Sequence, residues 1–80
     1  MREKRPALVI TFSTTTDAMG MERLCLERGL PGRLIPVPRE ISAGCGLAWK
    51  APTDMEEELK SAMAGAGLRW QEMRVVELWV

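Results

Sequence analysis

Apolar and polar positions follow two different periods along this chain. Ala7-Leu8-Val9-Ile10-Thr11-Phe12 is a short, largely β-branched apolar run of the kind that forms a strand buried on both faces. Ser13-Thr14-Thr15-Thr16-Asp17 then offers several helix N-caps. Ala18, Met21, Leu24 and Cys25 recur at helical spacing until Gly29 and Pro31 stop the helix. Arg33 to Val37 predicts a second strand, and because Pro36 cannot donate to a ladder this strand belongs at a sheet edge. Gly46 to Lys50 predicts a third. Pro52-Thr53-Asp54 opens a second helix with Glu56, Glu57 and Glu58 at its positive end. Met55, Leu59, Ala62, Met63 and Ala66 form its apolar stripe, and Gly65 and Gly67 end it. The tail from Arg69 to Val80, rich in Val, Leu and Trp, predicts a fourth strand.

The order β-α-β-β-α-β predicts an α+β, ferredoxin-like two-layer sandwich, with both helices on one face of an antiparallel sheet of order 4-1-3-2. In that order the end of strand one lies beside the start of strand three. Phe12-Ser13-Thr14 is therefore expected next to Gly44-Cys45-Gly46, with the unpaired N–H groups of helix one at the same end of the sheet.

Composition narrows what such a domain does. Eighty residues make one domain, 1–80, near the lower limit for a core without metals or disulfides. Lys+Arg and Asp+Glu balance at 11 each, so no net field directs the chain to nucleic acid or to an acidic membrane surface. No apolar run is long enough to span a bilayer, and the charged start leads into no signal-like segment, so a cytoplasmic location is expected. Cys25 and Cys45 have neither zinc-ligand nor CxxC spacing. The chain has no histidine, which removes the Cys-His dyad and the Ser-His-Asp triad. No metal and no cofactor is expected, and without histidine a stand-alone catalyst would have to rely on carboxylates, lysine or arginine.

The segment Pro38-Arg39-Glu40-Ile41-Ser42-Ala43-Gly44-Cys45-Gly46 carries the candidate chemistry. Its thiol stands between two glycines, a context that removes neighbouring side chains and lets backbone N–H groups approach the sulfur. An ordinary thiol is only about 3% ionised at pH 7, so a nucleophilic Cys45 needs donors. The backbone at Gly44 and Gly46, the hydroxyls of Ser42, Ser13 and Thr14, the guanidinium of Arg39 and the start of helix one are the candidates. Cys25, on the apolar stripe of helix one, is expected to be buried and inert. Of the three tryptophans, Trp49 is the candidate for exposed recognition because it closely follows the loop, whereas sheet packing is expected for the others.

The stretch from Gly32 to Ala48, with its proline-arginine and cysteine-glycine pairs, resembles the signature of the putative selenium/sulfur carrier-like family of small bacterial proteins. Phe12-Ser13-Thr14-Thr15 and Ala18 resemble that family's first strand-to-helix turn. The resemblance implies a carrier that holds sulfur or selenium on Cys45 as a persulfide or selenosulfide and passes it to a partner enzyme. The partners it implies are donor and acceptor proteins, a cysteine desulfurase among them. The alternative is a small interaction or ligand-binding regulatory module with no thiol chemistry, in which the edge strands and tryptophans matter most and an edge strand supports a homodimer.

Overall fold

The computed structural model describes residues 3–41 and 44–79. The buried run at the start of the chain lies in β1 (Lys4–Thr11), and Leu8, Val9 and Ile10 are fully buried, as is Phe12 just beyond it. The strand begins three residues before the apolar run because Lys4, Arg5 and Pro6 pair with the end of β4 (Glu72–Trp79) rather than with the core. The other strands are β2 (Arg33–Pro36) and β3 (Leu47–Ala51). All pairings are antiparallel and the order is β2-β3-β1-β4, the expected order counted from the other edge. Pro36 thus lies in an edge strand, as its missing donor requires. Pro6 lies in an inner strand, but β3 pairs with β1 only from Leu8 onward, so just one ladder runs past it.

Helix α1 (Thr15–Arg28) starts at Thr14, whose hydroxyl accepts the Asp17 backbone N–H at 3.1 Å. It ends at Gly29, which adopts the left-handed conformation that lets its own N–H and that of Leu30 reach the Cys25 carbonyl. Helix α2 (Glu56–Gly65) is preceded by a 3-10 turn, Thr53–Met55, so Met55 is half-buried ahead of the stripe rather than within it. Ala66 is exposed, and the buried stripe is Leu59, Ala62 and Met63. The fourth strand starts at Glu72 rather than Arg69. The intervening residues turn the chain, with Leu68 N–H bonded to Met63 O and Gln71 N–H to Thr11 O.

Both helices cover one face of the sheet. Ala18, Met21, Leu24 and Cys25 of α1 and the α2 stripe share one cluster with Leu8, Ile10, Phe12, Trp49 and Ala51. The opposite face carries a smaller cluster of Val9, Ala48 and Val76, closed by Ile41 from the β2–β3 loop. Among the described residues no helix is long and apolar enough to cross a membrane.

Trp49 corrects the expectation of an exposed recognition residue. It pairs with Ile10 across the sheet, is 3% exposed, and its indole N–H donates to Pro31 O at 3.3 Å. The exposed tryptophan is Trp79, at 60%, while Trp70 is half-buried against the helix-side cluster. Burial of Trp49 depends on Gly32, whose φ of +128° few side chains adopt and whose missing Cβ would press on the indole and lie 2.6 Å from Lys50 O. Gly32→Ala is expected to destabilise the fold by roughly 2–4 kcal/mol, the sum of left-handed strain and overpacking. Urea unfolding followed by tryptophan fluorescence measures this; an unchanged midpoint would mean that Trp49 packs otherwise.

Candidate functional site

Cys45 ends the β2–β3 loop, half-buried, with its side chain against the helix-side cluster. Two bonds join its sulfur to Leu47: the Leu47 N–H donates to Sγ at 3.4 Å, and the thiol donates to Leu47 O at 3.4 Å. Gly46 makes this possible. Its φ of +78° folds the chain back so that the backbone two residues on meets the sulfur, and no atom lies within 4 Å of where its Cβ would stand. Its carbonyl accepts the Val37 N–H at 3.0 Å, which closes the base of the loop. Ionising the thiol keeps the N–H bond and forfeits the S–H bond, so one backbone donor remains on the sulfur.

The expected meeting of the first strand's end with the cysteine loop is present. A Cβ on Gly44 would lie 2.9 Å from Ser13 O, so the two backbones are in direct contact and only glycine fits. The Gly44 N–H donates to the Gln71 side-chain oxygen at 3.4 Å. Ser13 is exposed beside this contact. Thr14 lies at the same end of the sheet, but its hydroxyl serves the helix: besides accepting the Asp17 N–H, it donates to Asp17 Oδ2 at 3.0 Å. Asp17 also puts a carboxylate in the first turn, where it offsets the positive end of α1. Ser42 lies outside the described residues.

Arg39 is placed elsewhere. It is exposed and lines a surface cleft with Lys4, Glu77 and Trp79, at the end of the β1/β4 ladder away from Ser13. The reason is Ile41, which is 6% exposed in the outer-face cluster and draws the Pro38–Ile41 turn across the sheet instead of over the thiol. Three contributors escaped the sequence reading: Gln71 and the Leu47 backbone, which carry no signal of their own, and Ile41. The signal for Ile41 was an apolar residue between Glu40 and Ser42 in a polar loop.

Cys25 is 2% exposed, and burial pushes its thiol up to about 11. The two cysteines are both free. The family described as Putative Se/S carrier protein-like matches residues 7–74. The chain belongs to this family. The match to the Se/S carrier-like family runs from β1 into β4 and contains the whole cysteine loop. Among curated proteins and among solved structures nothing matches the chain.

Brief alkylation of the folded protein at pH 8 is expected to modify Cys45 and spare Cys25, which at a pKa of about 11 is roughly one part in a thousand thiolate. Peptide mass mapping reads this, and prompt labelling of Cys25 would contradict the packing of α1. The raised value also makes stability pH-dependent. The folded pKa lies above the unfolded one, so Cys25 stabilises the fold fully below about pH 9.0 and loses that contribution as pH rises toward 11. The loss is on the order of 2–3 kcal/mol. Urea melts at pH 8 and pH 10.5 should show a larger fall for the native chain than for Cys25→Ala.

Proposed function

We propose that this protein is a cytoplasmic sulfur or selenium carrier that holds the transferred atom on Cys45, as its family suggests. The observation that supports this reading is the position of Cys45. It is the partly exposed thiol of the chain, it closes a loop shaped by Gly44 and Gly46, and it lies beside Ser13 at one end of the sheet. We read the fold as ferredoxin-like, with this end of the sheet as its working edge.

The transfer needs no general base beyond thiolate formation. The Cys45 thiolate attacks the terminal sulfur of a donor persulfide, such as that of a cysteine desulfurase; a new S–S bond forms on Cys45, the donor S–S bond breaks, and the donor cysteine leaves as its thiolate. The sulfur keeps its oxidation level throughout. Attack by an acceptor thiolate on the same terminal atom reverses the step and returns Cys45. In this scheme the Leu47 N–H donates to the Cys45 sulfur, while Gly44, Gly46, Ser13 and Thr14 shape or border the approach. Arg39, exposed on the outer face, serves as a contact for the partner rather than for the sulfur.

A module without thiol chemistry is the second reading, favoured by β4, an edge strand on which Val75 is 49% and Trp79 60% exposed. It would use that edge for a second copy of the chain. Incubation with a cysteine desulfurase and free cysteine separates the two. Intact mass is expected to show one added sulfur, removed by dithiothreitol, absent from Cys45→Ala and retained by Cys25→Ala. No added sulfur on the native chain would leave the edge-strand reading in place.

A further inference from the structure

A second feature lies on the other face of the sheet, at the end away from Ser13 and Gly44. A cleft of about 430 Å³ opens there between β1 and the point where the chain leaves β3. Arg5, Arg33 and Lys50 line it, together with apolar surface from Ala7, Pro52 and Leu78, and no carboxylate among the described residues does.

The strand register makes this arrangement unusual for a chain of zero net charge. Arg33 pairs directly with Lys50 across the β2/β3 ladder. Each stands two residues from a side chain of the outer-face cluster, Arg33 from Ile35 and Lys50 from Ala48, so the two cations stand opposite one another on that face. Like charges directly opposite in a sheet are destabilising. Among the described residues neither has an ion-pair partner, whereas Arg5 is paired with Glu3 at 2.6 Å. Lys50 is half-buried. An anion between the two would remove the repulsion and gain charge-assisted hydrogen bonds, and the adjoining apolar surface would take up an attached hydrocarbon or aromatic body.

We propose that this cleft is a binding site for a small organic anion, a phosphate or carboxylate carried on an apolar body. The site is independent of Cys45, which packs on the helix-side cluster near the other end of the sheet. Its cost to the unliganded fold is the Arg33–Lys50 repulsion, and this gives the proposal a signature that a purely structural pair of residues lacks.

The probe is phenyl phosphate, titrated into isotope-labelled protein and followed by amide chemical shifts, with inorganic phosphate and phenol as the separate halves. Saturable shifts at Arg5, Ala7, Arg33, Lys50 and Leu78 are expected, with a Kd of about a millimolar or tighter and weaker binding of either half. Arg33→Gln and Lys50→Gln should each weaken binding about tenfold, whereas Lys60→Gln on α2, which removes the same charge elsewhere, should not. In the absence of ligand, Arg33→Gln should raise the urea midpoint, because it relieves the repulsion. Shifts scattered over other basic residues, no saturation, or equal loss in all three variants would overturn the proposal. So would a urea midpoint lowered by Arg33→Gln, since the cation pair would then be supporting the fold rather than waiting for a ligand.

Discussion

Burial of β1 on both faces is the constraint from which the other features follow. Leu8 and Ile10, with Phe12 beyond the strand, hold the two helices on one side, and Val9 holds Ile41 on the other. Each such side chain contributes roughly 1.5–3 kcal/mol on burial, so four of them are comparable to the whole net stability of a small domain. Because β3 and β4 flank this strand, its end brings Ser13 to Gly44 and Thr11 to Gln71. The most buried strand of the molecule thus sets where the cysteine loop meets the end of β1.

Element order and sheet order were legible in the sequence because they depend on local punctuation: caps at Thr14, stops at Gly29 and Gly67, and a proline that tolerates only an edge. The exposure of Trp49 was not. A strand packed on both faces shows no alternation, so nothing in Leu47-Ala48-Trp49-Lys50-Ala51 says which residues face the helices; that is decided by register against Ile10 and Leu34. Arg39 escaped for a related reason. A loop's path is set by where its apolar anchor finds a cavity, and the cavity that receives Ile41 is built from three strands far apart in sequence. The placement of Ser13 against Gly44 was legible because strand order alone dictates it.

The two cysteines show how little a residue type says without its surroundings. Both touch the same cluster, yet one is enclosed by α1 and the sheet while the other ends a loop with open space beside the next residue. Desolvation holds the first as a neutral thiol, and the backbone of Leu47 holds the second at the surface. At the start of α1, Thr14 caps the Asp17 N–H and Asp17 places a carboxylate in the first turn.

Ile41 gives the cysteine loop the mechanics of a latch. The loop is fastened at its base by the bond from Val37 to Gly46 and at its middle by one apolar side chain seated on the far face of the sheet. Withdrawing an isoleucine into water costs about 2 kcal/mol, which corresponds to an unlatched fraction of roughly 3%. The sulfur and the latch thus lie on opposite faces of one sheet but on one short piece of backbone. The hold of this side chain is readable in the exchange rate of the Ile41 amide, which is bonded to Pro38 O at 3.0 Å.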